Sequence, residues 1–156
     1  MKSATDVVAT DLDLLSHQLE AEFDRLSGRS VLIAGGAGFL GYYLVQGALH
    51  WNRTHGAQPP IQVIVLDNVI RGVPGWLMAL EQNPSLRLLK HDITQPLPAA
   101  LGDAEYLIHA ASIASPTYYR KFPIETMDAN VNGLRFLLDY SLAQKQKGKP
   151  VEGILF

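Results

Sequence analysis

The chain has 156 residues, a formal net charge of −2, no cysteine and 47% hydrophobic residues. That length suits one ordinary domain, which buries roughly 70% of its unfolded surface and needs no disulfide or metal staple. The lack of cysteine excludes disulfide scaffolds, iron–sulfur clusters, thiolate zinc sites and cysteine nucleophiles, and the charge argues against nucleic-acid binding by bulk electrostatics.

The N-terminal stretch MKSATDVVATDLDLL has acids where a signal peptide needs a basic region and an apolar core. No apolar run approaches the ~20 residues that span a bilayer. A soluble, cytoplasmic protein is expected, with no membrane and no nucleic-acid partner. Leu12, Leu15, Leu19, Phe23 and Leu26 follow three- and four-residue steps, predicting an amphipathic helix over residues 1–27. Ser27-Gly28 ends it, as glycine commonly does. Such a helix either docks on the body of the protein or makes a subunit contact.

Beyond residue 28 the texture changes. Ser30–Ala34 (SVLIA) is a continuous apolar run, as in strands buried on both faces of a parallel sheet. Residues 35–41 are glycine-rich, and Tyr42–Trp51 reads as a helix. Asn52–Pro60 is a polar connection, and Ile61–Leu66 (IQVIVL) is a second buried run. Val73–Gln82 predicts a short helix closed by Asn83-Pro84. Leu86–Leu89 predicts a third strand, Gln95–Pro98 a proline-marked loop, and Glu105–His109 a fourth strand. Ile124–Lys147 reads as one long helix with Leu134, Leu137, Leu138 and Leu142 on one face. Val151–Phe156 opens a fifth strand. Alternating strands and helices predict an α/β fold, a doubly wound parallel sheet with helices on both faces. The organisation expected is a helical extension over 1–28 and a Rossmann domain over 29–156. Gln144–Lys149 (QKQKGK) suits a solvated helix end.

Gly35, Gly38 and Gly41 are spaced G-x-x-G-x-x-G, directly between the first strand and the first helix. Such a loop turns tightly, brings backbone N–H groups to a pyrophosphate and lets helix and strand approach closely. Alone the pattern is weak. Here an acid answers it: Asp67 ends the second apolar run. A carboxylate there accepts the adenosine ribose hydroxyls and repels a 2′-phosphate, favouring NAD over NADP.

GGAGFLG, followed by Leu66-Asp67-Asn68 and Gly72, resembles the extended short-chain dehydrogenase/reductase family of nucleotide-sugar epimerases, dehydratases and decarboxylases. His91–Leu97 (HDITQPL) and His109–Pro116 (HAASIASP) are similar to segments of UDP-glucuronate decarboxylases. Tyr119, Pro123-Ile124, Thr126 and Asn130 fall in step, so the likeness runs from residue 30 to 156. It implies that Gly35, Gly38 and Gly41 cradle the pyrophosphate of NAD, with Phe39 and Leu40 donating backbone N–H groups. It implies that Asp67 and Asn68 lie at the adenosine ribose, Asp92 at the adenine amino group and Ile93 on the ring. Ala110, Ala111 and Ser112 would line the nicotinamide side. Ser115 and Tyr119 would face the sugar, and Asn130 would shape the adjacent helix. Plainer readings stay open: Asp92 as a turn or cap residue, Tyr119 as an ordinary half-buried tyrosine, Asn130 as a polar residue inside a helix. His109 suits a strand end and is assigned no chemistry. Leu134 departs from the threonine often found there in the family.

The resemblance implies a nucleotide-sugar substrate oxidised at C4 by hydride transfer to NAD. It also implies a tyrosine base with a lysine four residues later. No tyrosine here has that partner: Tyr42, Tyr43, Tyr106, Tyr118, Tyr119 and Tyr140 lead to Gln46, Gly47, Ala110, Phe122, Pro123 and Gln144. No metal ligand set is expected. The expectation is the N-terminal part of a longer enzyme, cut before its catalytic segment, inactive alone and homodimeric when full length through two long helices. The alternatives are a non-catalytic NAD-binding module and a structural subunit completed by a second chain.

Overall fold

β-branched and leucine-rich runs form the strands, and each is followed by a segment that crosses back over the sheet. The computed structural model describes residues 3–156. Strands β1 (Ser30–Ala34), β2 (Gln62–Asp67), β3 (Leu86–Lys90), β4 (Tyr106–His109) and β5 (Gly153–Leu155) form one parallel sheet of order β3-β2-β1-β4-β5. β1 lies at the centre, with Ala34 opposite Leu66 on one side and His109 on the other.

Alternate residues of a strand face opposite sides, and the core divides accordingly. Val31, Ile33, Val63 and Val65 pack with Val45, Leu49 and Trp51 of α3 (Phe39–Thr54). Leu32, Ala34, Ile64 and Leu66 pack on the other face with Ile93, Leu107 and Leu137 of α7 (Gly133–Gln146). Both faces are covered, as in a doubly wound parallel sheet.

The N-terminal segment differs from the single helix expected. It forms α1 (Ala4–Gln18) and α2 (Glu20–Leu26), broken at Leu19, whose backbone leaves the helical region at φ −111° and ψ 28°. The reason is tertiary. The break lets Phe23 stack on Trp51 with ring centroids 5.4 Å apart. Ser3 opens α1 with a capping box: its Oγ accepts the Asp6 N–H, and Asp6 Oδ2 accepts the Ser3 N–H. α1 lies along α3. Tyr43 donates its hydroxyl to Asp11 at 2.9 Å, and Asp13 Oδ1 lies 2.9 Å from Nε2 of buried His50. Trp51 Nε1 donates to Ser27 Oγ at 3.1 Å.

The expected helix over 124–147 is also divided. α5 (Pro116–Lys121), which the sequence pattern does not predict, is followed by α6 (Pro123–Met127), a π-helical turn over Asp128–Asn132, and then α7. The expected apolar face of α7 is split. Leu137 is in the core, while Leu138 and Leu142 are exposed. The remaining elements agree in kind and shift at their ends. α3 starts three residues earlier than Tyr42, the helix expected over 73–82 is only α4 (Gly75–Met78), and the fifth strand covers Gly153–Leu155. Among the described residues no helix is long and apolar enough to cross a membrane.

Candidate functional site

The loop between β1 and α3 forms the centre of the site. Gly35 has φ +80°, in the left-handed region that favours glycine. A Cβ there would also stand 2.6 Å from the Ala110 carbonyl and from Ala111 Cα. Gly41 makes the other close approach: a Cβ would meet the Gly36 carbonyl oxygen at 2.2 Å, so only glycine lets α3 cross the strand end at this distance. Gly38 is the N-cap of α3 in extended backbone, and no side chain caps the helix. The first N–H groups of a helix have no intrahelical acceptor. Those of Phe39 and Leu40 are in this position, at the positive end of the helix dipole. The Phe39 side chain is 88% exposed, so its own packing does not explain its place there.

Asp67, half-buried at the end of β2, binds this loop directly. Its Oδ2 accepts the Ala37 N–H at 3.1 Å, and its Oδ1 accepts the Val69 N–H at 2.8 Å. Asn68 Oδ1 accepts the Ile70 N–H at 3.1 Å. Between them Val69 takes φ +46°, a costly conformation for a β-branched residue. Strain of this kind concentrates at functional sites.

Asp92 lies beyond the end of β3. Its Oδ1 accepts both the N–H and the hydroxyl of Thr94 at 2.9 Å, so it does hold a turn; these bonds leave Oδ2 unused. Ile93 is in the core beside Gly133. Past β4, Ala110 donates its N–H to the Ala34 carbonyl at 2.8 Å, which brings Ala110 and Ala111 against the glycine loop. Ser112 is exposed. Ser115 is the N-cap of α5, and Tyr119 stands on that helix partly exposed. Asn130 lies in the π-helical turn, half-buried. The residues singled out from the sequence therefore gather at the C-terminal ends of β1, β2, β3 and β4. Asn130 lies behind them.

Sequence reasoning missed three participants. Ala37 supplies the backbone donor that ties the loop to Asp67. His109 sets the π-helical turn: its Nε2–H donates to the Ala129 carbonyl at 3.0 Å, and burial pushes the imidazole below its ordinary pKa, keeping it neutral. Arg71, in the segment that follows β2, has its guanidinium carbon 5.8 Å from the Tyr118 ring centroid. The first and third have no motif to find them. The second is visible only as a polar residue closing an apolar strand.

Loop, uncapped helix and carboxylate thus stand together, with backbone N–H donors and an acid side by side. The chain is 35% identical over 107 residues to UDP-glucuronic acid decarboxylase 5 of Arabidopsis thaliana, covering 69% of this chain and 28% of that protein. It is 34% identical over 103 residues to UDP-glucuronic acid decarboxylase 3 of the same plant, covering 66% and 27%. Among solved structures, the DesIV double mutant of Streptomyces venezuelae, a dTDP-glucose 4,6-dehydratase with NAD and DAU bound, superposes with a TM-score of 0.61 at 26% identity, over 72% of this chain and 35% of that one. The chain thus matches well under half the length of these relatives. The model of the NAD dependent epimerase/dehydratase family matches residues 31–151, from the first residues of β1 to the approach to β5, and the chain belongs to that family.

Proposed function

We propose that this chain is the NAD-binding portion of a nucleotide-sugar-modifying enzyme of the UDP-glucuronate decarboxylase or dTDP-glucose 4,6-dehydratase type. One observation carries the reading: the carboxylate that should meet the ribose is hydrogen-bonded to the loop that should hold the pyrophosphate. Gly35, Gly38 and Gly41 clear the space for phosphate oxygens, and the Phe39 and Leu40 N–H groups donate to them. Asp67, with Asn68 beside it, accepts the ribose hydroxyls. Asp92 offers Oδ2 to the adenine amino group, while buried Ile93 shapes the floor. Ala110, Ala111 and Ser112 border the nicotinamide. Ser115 and Tyr119 face the sugar, and Asn130 shapes the helix behind them. When bound, NAD supplies a hydride acceptor for the sugar C4, and the protein supplies position and exclusion of water. In this reading residues 1–28 are a helical extension on a cofactor domain over 29–156. The full enzyme acts on a nucleotide sugar as a homodimer.

The chain has no Tyr-x-x-x-Lys. That favours binding without turnover by this chain alone, and a non-catalytic NAD-binding module is the second reading. Calorimetric titration with NAD tests the proposal. Saturable binding is expected, weakened about tenfold or more by Asp67→Asn, which loses charge-assisted hydrogen bonds. A flat isotherm at millimolar NAD would overturn it. Hydride transfer from UDP-glucuronate catalysed by this chain would overturn the claim that it is inactive alone.

A further inference from the structure

We propose that Arg71 binds the pyrophosphate of the dinucleotide from the side opposite the helix N-terminus, and that Tyr118 holds its guanidinium in readiness. The proposal rests on the NAD-binding reading above and adds a ligand that the glycine pattern does not contain.

The topology carries the first step. β1 lies between β2 and β4, and its C-terminal end bears the glycine loop. Arg71 belongs to the segment that leaves β2, and Tyr118 belongs to α5, which follows β4. Their 5.8 Å contact therefore joins the segments that follow β2 and β4, the two neighbours of the central strand whose C-terminal end bears the glycine loop.

The local chain holds Arg71 in that direction. Asp67 accepts the Val69 N–H, Asn68 accepts the Ile70 N–H, and the Gly72 N–H closes on the Val69 carbonyl at 2.8 Å. With Val69 at φ +46°, the chain turns just before Arg71, whose guanidinium reaches the ring of Tyr118. Asp67, the nearest acid in sequence, already has an N–H donor on each carboxylate oxygen. Among the described residues Arg71 has no carboxylate within ion-pair distance. Its one recorded partner is the face of an aromatic ring.

A guanidinium resting on an exposed tyrosine is weakly held. A pyrophosphate offers it charge-assisted, bidentate hydrogen bonds, which are stronger. The exchange of Tyr118 for phosphate is thus downhill, and it leaves the anion between helix N–H groups on one side and a cation on the other. A 2′-phosphate is the other phosphate a dinucleotide could bring. It would sit by Asp67 at the end of β2, whereas the guanidinium rests on Tyr118 of α5.

Calorimetry on the whole chain with NAD, NADP and adenosine tests this. Arg71→Met is expected to weaken NAD about tenfold and to leave adenosine unchanged, with Arg71→Lys between. Tyr118→Leu is expected to act in the opposite sense, tightening NAD about two- to fivefold by freeing the guanidinium. Thermal melts of the unliganded variants separate folding from binding. Several results would overturn the proposal: unchanged NAD affinity in Arg71→Met, equal losses for NAD and adenosine, or both variants weakening NAD alike, the mark of a clasp that only stiffens the cleft. A larger loss for NADP than for NAD would assign Arg71 to the 2′-phosphate instead. If the unmodified chain binds no NAD, the cofactor reading fails and this one with it. If it binds and Arg71→Met matches it, only this one fails.

Discussion

The two sides of the central strand are built to different standards. On the β2 side, β1, α3 and β2 enclose most of their apolar residues: Val31, Ile33, Val45, Trp51, Val63 and Val65 are all buried, α1 and α2 pack on α3, and of its apolar residues only Phe39 and Leu40 at the first turn stand out into solvent. On the β4 side, the run from α5 to α7 leaves Tyr118, Phe122, Ile124, Met127, Leu138 and Leu142 exposed, and Leu155 in β5 is 62% exposed. The difference teaches where this chain's own contacts fix the structure. The glycine loop stands on strands and a helix whose core-facing residues are buried within the chain. The helices that follow β4 present apolar groups outward.

The sharpest way to break this contrast is at the helix crossing. Gly41→Ala forces a methyl into the Gly36 carbonyl. It is expected to destabilise the fold by ~3 kcal/mol, read as a lowered urea midpoint. Next comes a matched pair. Leu32→Ala in β1 empties a fully buried site and is expected to cost about 2–5 kcal/mol. Leu142→Ala in α7 is expected to cost no more than ~0.5 kcal/mol. Equal losses would show that the outer face of α7 is packed in solution and would erase the contrast. The smallest effect concerns pH. The neutral form of His109 is favoured by burial, so its folded pKa lies below the ordinary 6.5. The unfolded chain then takes up a proton first, and the stabilising contribution present above pH 6.5 is lost as the pH falls through that range. His109→Gln, which keeps a donor for Ala129, is expected to flatten the acid limb of a stability–pH curve.

Much of the β2 side was legible in the sequence because its signals are local. SVLIA and IQVIVL can hardly be anything but buried strands, and the glycine spacing reports a steric need that Gly35 and Gly41 bear out. The β4 side was less legible because its signals are not local. α5 has no buried residue and so no periodicity to detect. The π-helical turn depends on a hydrogen bond from a histidine in another element. The break at Leu19 follows from a stack between Phe23 and a tryptophan far along the chain. For the candidate site, position along a motif pointed to the loop and the acid, which the structure joins by a hydrogen bond. It could not find Arg71, whose place is defined by a ring on the other side of the central strand.

The aromatic stack beneath α2 gives the molecule a built-in optical reporter. Trp51 is 2% exposed and stacks with the rings of Phe23, at 5.4 Å, and His55, at 3.5 Å between centroids. Trp76, half-buried, packs edge-on against Tyr42 one turn into α3, the helix that follows the glycine loop. The two indoles therefore emit from different surroundings. With Trp76→Phe, the remaining emission follows release of the N-terminal helices. With Trp51→Phe, it follows the first turn of α3 as ligand arrives.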